Sequence, residues 1–372
     1  MKRILAVLLV LAMALSMMAG CGASEPSAPA ETPASSNAPA SSDAPAEAAK
    51  GPFKVASHNA QIEGNPYRSV YEDQMKLAVK GYQSDGVISD FNSYTSNMDP
   101  AVQSQQIEQT INEGFDIIMV NPIAATGLDP VIDKAVEAGI TYINADCEYN
   151  SSKIINVTVD QREWAKLNAD FVVKTLGQGK KVVLFNGIDG NSASEIRNEV
   201  YQKILKENNM EIVKTFAHGW DDVQAEQQMA EVISSGVKYD GILNQEGANG
   251  IMNAIEKANV GYPGCITSSE EVSWIRRVAD INKNELVMPF IVTENPPGVG
   301  ATALAVALNL KMGGELKEEV VNGEFNNILV PPIWQMTYDN MAERLEEIKD
   351  LPNTTSVSSY FTLDQARAAY FK

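Results

Sequence analysis

The chain has 372 residues, and its 48 Asp and Glu residues against 29 Lys and Arg residues give a formal net charge of −19 at pH 7. This acidic balance argues against nucleic-acid binding and against electrostatic attachment to anionic lipid. The two histidines and three cysteines show no spacing typical of a zinc site, so neither a metal nor a cofactor is expected.

The first 20 residues are typical of a signal peptide. Lys2 and Arg3 form a positive segment, and residues 4–15 form an apolar run. That run is too short to span a bilayer, which requires about 20 apolar residues. Residues 18–21, Met-Ala-Gly-Cys, resemble the lipobox of bacterial lipoproteins, which predicts cleavage before Cys21 and lipidation of its thiol. The alternative is an ordinary signal peptide in which this cysteine occurs by chance.

Residues 21–51 form a low-complexity segment rich in Ala, Ser, Pro and Glu. Such a composition buries too little apolar surface to offset its ordering entropy, so a disordered tether is predicted. Together with Cys21, it predicts a protein that is lipid-anchored to the cell membrane outside the cytoplasm, at the cell surface or in the periplasm.

From residue 53 onward, short β-branched runs alternate with amphipathic stretches. In one stretch, Leu128, Val131, Ile132, Ala135 and Val136 share one helix face. The predicted strands are 54–57, 86–91, 116–120, 141–144, 154–159, 181–185, 212–217, 241–243, 265–267 and 288–292. This alternation predicts an α/β fold with two doubly wound parallel-sheet lobes, because ten strands are too many for one small sheet.

Polar and aromatic residues follow most of the predicted strands, at the edge where doubly wound sheets bind ligands. They occur at residues 59–68, 121–122, 144–146, 191–197, 218–221, 244–246, 268–270 and 293–295. Carboxylates, amides, guanidiniums and aromatic rings are the groups that bind hydroxyl-rich ligands. Each residue also has an ordinary alternative role, since Asn and Asp form helix caps and turns, and Tyr67 and Trp220 also suit a core.

Five stretches carry a family pattern in order along residues 53–332. They are residues 64–68, 120–127, 143–146, 187–197 and 294–298. They resemble the periplasmic sugar-binding proteins of the ribose and galactofuranose type, which serve ABC importers. The resemblance implies a type I periplasmic binding protein fold with a three-crossing hinge near residues 158–160, 294–295 and 330–332. It divides the chain into one lobe of residues 52–158 plus 295–330 and another of residues 159–294 plus 331–372.

The resemblance also implies the ligand contacts. Family positions match Tyr67, Arg68, Asn121 and Asp146 on the first lobe, Arg197, Trp220 and Gln245 on the second, and Glu294 at a crossing. The strand-end pattern adds Asn65, Ser269 and Glu270. Two departures change which hydroxyls can be paired. Cys147 stands where the family has an arginine, and residues 268–271, Ser-Ser-Glu-Glu, replace Gly-x-Asp-Gly, so neither ribose nor a direct copy of galactofuranose is expected.

The resemblance implies a monomeric solute-binding lipoprotein that closes on a monosaccharide or related polyol and delivers it to ABC permease subunits. A sugar-sensing subunit for a receptor or histidine kinase is the alternative, because the same lobes would serve it. A carbohydrate-active enzyme is disfavoured, because no Gly-x-Gly-x-x-Gly follows a strand and no Gly-x-Ser-x-Gly elbow occurs. Cys147 and Cys265 fall in segments assigned to different lobes, which argues against a disulfide between them.

Overall fold

The computed structural model describes residues 51–63, 66–268 and 270–372, and within them the chain forms twelve strands and eleven α-helices. The strands are β1 (Phe53–Asn59), β2 (Ile88–Thr95), β3 (Ile117–Val120), β4 (Thr141–Ala145), β5 (Ile155–Val159), β6 (Lys181–Asn186), β7 (Glu211–Ala217), β8 (Gly241–Asn244), β9 (Ile266–Ser268), β10 (Phe290–Thr293), β11 (Asn327–Val330) and β12 (Gln335–Met336).

Helices separate most of these strands. They are α1 (Pro66–Ser84), α2 (Pro100–Asn112), α3 (Asp129–Glu137), α4 (Gln161–Leu176), α5 (Ser192–Glu207), α6 (Asp222–Ser235), α7 (Ala248–Lys257), α8 (Val272–Ile281), α9 (Val299–Lys311), α10 (Met341–Glu347) and α11 (Leu363–Tyr370). Two short 3-10 helices, Glu318–Val320 and Tyr338–Asn340, lie near the C-terminus.

The strands form two six-stranded sheets. The first has the order β11-β5-β4-β3-β1-β2 and is parallel throughout. The second has the order β12-β10-β9-β8-β6-β7 and is parallel except at one edge, where β12 pairs antiparallel with β10. All ten predicted strands are present, and the predicted α/β fold of two doubly wound parallel sheets is confirmed.

Each sheet is buried on both faces, which explains the continuous apolar sequences of its strands. In β3, Ile117 and Met119 join one apolar cluster, whereas Ile118 and Val120 join another. Successive side chains of a strand point to opposite faces, so the two clusters lie on opposite sides of the sheet. The second sheet repeats this arrangement, with Val183 in one cluster and Val182 in the other.

The chain passes between the sheets four times rather than three. We call each sheet with the helices packed on it a lobe. The three expected crossings lie between β5 and α4, between β10 and α9, and between β11 and β12. The fourth lies between α10 and α11, because Ile348 and Val357 pack in the core of the second lobe and Ala366 and Tyr370 pack in that of the first.

The expectation that residues 331–372 belong wholly to the second lobe is therefore wrong for α11. This helix packs against α9, which is buried from Val299 to Asn309 and contacts β3, β4 and β5 of the first sheet. A helix that is apolar on all sides requires cover all round, and α11 supplies part of that cover.

Candidate ligand-binding cleft

A cavity of about 500 Å³ lies at the carboxyl ends of the strands, between the two lobes. Of the predicted contacts, six line it: Tyr67, Arg68, Asp146, Arg197, Trp220 and Glu270. Asp146 directly follows β4, and Glu270 follows β9 by two residues. The strand-end rule therefore brings residues from distant parts of the sequence into one cavity.

The wall on the first lobe is built around the Asp146 carboxylate. Tyr67 donates a hydrogen bond from its hydroxyl to Asp146 Oδ1 at 2.7 Å, and Arg68 forms an ion pair with Oδ2. Both partners stand in the first turn of α1. Asp146 has a φ of 73°, a left-handed conformation that Asp tolerates better than most residues. The turn aims the carboxylate back towards α1.

Cys147 lies beside the Arg68–Asp146 pair, at the position where the resemblance implied an arginine in other proteins. Its Sγ lies 3.9 Å from Nη2 of Arg68 and 3.4 Å from Nδ2 of Asn121. Burial raises the pKa of Cys147 to about 11, so the thiol is neutral at pH 7. Arg68 supplies the positive charge beside Asp146.

Arg197 is the central cation of the second-lobe wall. Its side chain is stacked on Trp164, with the guanidinium carbon 4.0 Å from the ring centroid, and Nε donates to Gln161 Oε1 at 2.7 Å. The residue is only 1% exposed, yet Nη1 has no hydrogen-bond partner among the described residues. A buried donor without a partner is costly, which favours an acceptor atom from a ligand.

Trp220 is held in place by its own backbone and by a glycine. Its φ is 59°, and its backbone N–H donates to His218 Nδ1 at 2.9 Å. The ring packs on Gly187, where a Cβ would lie only 2.2 Å from it. The indole Nε1 has no hydrogen-bond partner among the described residues, so this ring also offers a donor in the cleft.

Three glutamates crowd the remaining wall of the second lobe. Burial raises the pKa of Glu246 to about 8, against the favourable charge of Arg197, and it raises the pKa of Glu271 to about 7. Burial and the charge of Glu246 raise the pKa of Glu270 well above its usual value. Burial thus favours the protonated form of all three carboxyl groups.

Two hinge crossings contribute side chains that were not predicted as contacts. Gln161 donates from Nε2 to Asn295 Oδ1 at 3.0 Å, and the Asn295 backbone N–H donates to Glu270 Oε2 at 2.7 Å. Both Gln161 and Asn295 line the cavity. Each stands two residues after a strand end. The strand-end pattern already included Asn295 without its selection as a contact, and the same rule applied to β5 would have found Gln161.

Three predicted contacts lie behind the cavity wall, and their expected role in direct contact is not supported by their geometry. Asn121 donates to Ala145 O at 3.4 Å, and Gln245 donates to Asn186 Oδ1 at 3.2 Å. Glu294 Oε1 accepts from the backbone N–H of Trp334 at 2.8 Å and from Ser359 Oγ at 2.7 Å. These contacts brace neighbouring loops, and Gln245 Oε1 and Glu294 Oε2 have no hydrogen-bond partner among the described residues.

Other expectations concern residues that the structure does not describe. Asn65, Ser269, Cys21, the signal peptide and the tether lie outside the described residues. Among the described helices, none combines the length and apolarity that a membrane crossing requires. Within residues 51–63, 66–268 and 270–372, no cluster of His, Cys, Asp and Glu suits a metal ion, and Cys147 and Cys265 are both free thiols.

Comparison with known families gives one match that covers most of the chain. Residues 60–315 match the family described as periplasmic binding protein domain. Among individual proteins, the chain is 22% identical to the ribose import binding protein of Escherichia coli over 178 residues, which cover 45% of this chain and 60% of that protein. It is 23% identical to the D-allose-binding periplasmic protein of Escherichia coli over 245 residues, which cover 62% of this chain and 77% of that protein.

Solved structures share the fold. An ABC transporter solute binding protein from Thermobispora bispora superposes with a TM-score of 0.69 at 21% identity, covering 85% of this chain and 94% of that chain. Identity at this level supports the architecture of two sheets and carries no information on the ligand.

Proposed function

Since the chain belongs to the periplasmic binding protein domain family, we propose that it is the solute-binding subunit of an ABC importer and that it binds a monosaccharide or a related polyol between its lobes. The observation that carries this proposal is that both lobes contribute polar side chains to one cavity, Asp146 from the first and Arg197 and Glu270 from the second. The ribose and allose named for the relatives support a sugar-like ligand. The family is one of binding proteins, so we assign no catalytic role.

The lining residues suit a hydroxylated ring. Carboxylate oxygens of Asp146 and Glu270 accept from ligand hydroxyls, and the unpartnered Nη1 of Arg197 and Nε1 of Trp220 donate to them. A charge-assisted hydrogen bond contributes about 1.5–3 kcal/mol, and micromolar affinity requires about 8 kcal/mol. Four or five such bonds with one stacked ring are therefore sufficient after the cost of association.

Ligand capture by hinge closure follows from this arrangement. Hinge closure around ligands is the general behaviour of periplasmic binding proteins. A ligand shifts the balance between open and closed forms only through its differential affinity for them, so it must contact both lobes. Gln161 and Asn295, which join two crossings beside the cavity, would transmit closure from the ligand to the hinge.

The N-terminal segment supports attachment at the membrane. We propose that residues 1–20 are removed, that Cys21 is lipidated, and that residues 21–51 tether the monomeric lobes to the outer side of the cell membrane, near their permease. Mass spectrometry of the membrane-extracted protein tests this step, because a diacylated or triacylated Cys21 peptide is expected. Replacing Cys21 with Ser should release the protein from the membrane fraction.

A ligand screen tests the function. Thermal shift across pentoses, hexoses, furanoses, polyols and cyclitols should identify a stabilising compound, and calorimetry should give its affinity. Small-angle scattering with that compound should show a smaller radius of gyration than without it, because the lobes close. Unchanged scattering and melting with every compound would contradict the proposal. Uptake of the labelled compound by cells that carry the gene, but not by a deletion strain, separates import from sensing.

A further inference from the structure

The cavity is lined by more acidic than basic side chains. Within the described residues it is lined by two guanidiniums and six carboxylates: Arg68, Arg197, Asp146, Asp221, Asp222, Glu246, Glu270 and Glu271. Arg68 is matched by Asp146 in the ion pair on the first lobe. The excess of acidic side chains therefore lies on the second-lobe wall.

Two of the second-lobe carboxylates have local structural roles. Asp221 Oδ1 accepts from the backbone N–H of Gln224 at 2.8 Å, and Asp222 Oδ1 accepts from that of Gly250 at 2.9 Å. Both bonds hold helix N-termini, where a negative charge is favourable. The carboxylates left to face a ligand are those of the three glutamates.

None of the three glutamates forms an ion pair within the described residues. No Lys, Arg or His nitrogen of those residues lies within 4.0 Å of a carboxylate oxygen of Glu246, Glu270 or Glu271. Glu270 is 2% exposed, and its Oε2 accepts the Asn295 backbone N–H at 2.7 Å. Burial is the largest cause of the raised pKa of all three glutamates.

Arg197 gives independent evidence that a ligand completes this wall. The residue is 1% exposed, lines the same cavity and leaves Nη1 without a partner among the described residues. Its charge lowers the pKa of Glu246, yet one guanidinium cannot balance three carboxylates. A ligand that presents an acceptor to Arg197 and a positive charge to the glutamates would satisfy Nη1 and stabilise the ionised form of the glutamates.

An organic ammonium suits the three glutamates better than a neutral polyol or a metal ion does. A neutral polyol can donate hydrogen bonds to these carboxyl groups but does not favour their ionised form as a cation does. In the described part of the chain, the acidic side chains do not converge as three or more ligands of one metal ion. An ammonium group has three N–H donors, which can reach separate carboxylates.

We propose that the ligand is an amino sugar or an aminocyclitol, with its protonated amine among Glu246, Glu270 and Glu271 and a ring hydroxyl accepting from Arg197. This inference rests on the proposed function, because it assumes a polyhydroxylated ring between the lobes. It narrows the ligand class from neutral sugars and polyols to their amino derivatives.

Matched ligand pairs test the charge requirement. D-glucosamine, D-galactosamine and an aminodeoxy-inositol are compared by calorimetry with their neutral parents and with their N-acetyl derivatives, which keep the nitrogen but lose its charge. We expect at least one amine to bind about tenfold or more tightly than both of its neutral counterparts at pH 7. Its affinity should rise from pH 5 to pH 7, because the glutamates ionise over this range while the amine stays protonated.

A charge-removing substitution provides the second arm. Glu246→Gln keeps the shape of the side chain, and we expect it to reduce the ratio between amine and neutral-parent affinity by about tenfold. Glu199→Gln is the matched control, since its side chain is 67% exposed and pairs with Arg162 outside the cavity, and it should leave that ratio unchanged. Thermal unfolding of both variants verifies that they fold.

The outcomes separate the two levels of inference. Neutral parents that bind as tightly as their amines, or more tightly, and compact the protein in scattering would overturn the charge assignment and leave the sugar-binding function standing. An amine preference that survives Glu246→Gln unchanged would also overturn the placement of the amine. Absence of binding and of compaction with every sugar, polyol and amine would overturn both.

Discussion

Tyr67 donates a hydrogen bond from its hydroxyl to Oδ1 of Asp146, 2.7 Å away, while Arg68 pairs with the other oxygen of the same carboxylate. The two partners are consecutive residues of α1, whereas Asp146 follows β4. The carboxylate is thus held in one orientation before any ligand arrives. Such preorganisation reduces the ordering cost of binding.

The first prediction concerns this carboxylate. Asp146→Ala should weaken ligand binding by on the order of tenfold to several hundredfold, because it removes an acceptor and leaves the Arg68 charge without its partner. Calorimetry measures the loss. Asp133→Ala, which removes an exposed carboxylate paired with Lys153, is the control and should keep the affinity. Equal affinities of the Asp146→Ala variant and the unmodified protein would show that this carboxylate does not contact ligand.

The second prediction concerns Arg197. Arg197→Lys keeps a positive charge but loses the fork of donors and the stacking on Trp164. We expect ligand affinity to fall by about tenfold or more, with the fold retained as judged by circular dichroism. Arg162→Lys, at an exposed arginine one helix away, should bind normally. Normal binding by Arg197→Lys would mean that a point charge suffices and that Nη1 has no ligand partner.

The sequence predicts the fold and part of the site because strand ends can be read from local patterns. Two predicted contacts that do not line the cavity, Gln245 and Glu294, each come one residue before a residue that does line it. Gln245 turns inward to Asn186 and its neighbour Glu246 lines the cavity, and Glu294 turns inward while Asn295 lines it. Adjacent residues leaving a strand point to opposite sides, so a shift of one position exchanges a ligand contact for a buried brace.

Other features depend on tertiary structure that local patterns do not contain. β12 has only two residues, Gln335 and Met336, which are too few to show a period. The apolar face of α11 predicts that the helix packs against the protein core. It does not predict which of the two lobes provides that core. The group formed by Glu246, Glu270 and Glu271 likewise arises only when the ends of β8 and β9 are brought together by the second sheet.

The third prediction concerns the support of Trp220. Gly187→Ala would place a Cβ about 2.2 Å from the indole ring, so the ring must move away from its present position. We expect ligand affinity to fall severalfold, up to about tenfold, since a displaced ring loses its stacking contact. Gly261→Ala introduces a Cβ with no atom within 4 Å and is the control. If Gly187→Ala binds as the parent does, the ring is not part of the binding surface.

The fourth prediction concerns the unexpected crossing between α10 and α11. Gly298 N donates to Ser358 Oγ at 2.8 Å, and a Cβ at Gly298 would lie 2.2 Å from the Ser359 carbonyl oxygen. Gly298→Ala should therefore lower the free energy of unfolding by about 1–3 kcal/mol, because backbone must shift. Gly81→Ala, in α1 with open space around the new Cβ, should instead be neutral or stabilising. Urea unfolding compares the two, and equal stabilities would show that the crossing does not pack tightly on α9.

The last prediction concerns pH and the ligand-free protein. The pKa of Glu246 is about 8 in the folded chain against an ordinary value of 4.5, so the folded state binds more protons than the unfolded state between these values. Stability from this group is therefore complete below pH 4.5 and is lost as pH rises towards 8. Glu271, with a folded pKa of about 7, acts in the same direction. Burial lowers the pKa of His58 to about 3, so this residue makes stability increase with pH up to about pH 6.5.

Between pH 6.5 and 8 the glutamates dominate, and the free energy of unfolding should decrease. Urea titrations at several pH values should show a smaller decrease for Glu246→Gln than for Glu199→Gln, and identical slopes would indicate that Glu246 is ionised at neutral pH in the folded protein.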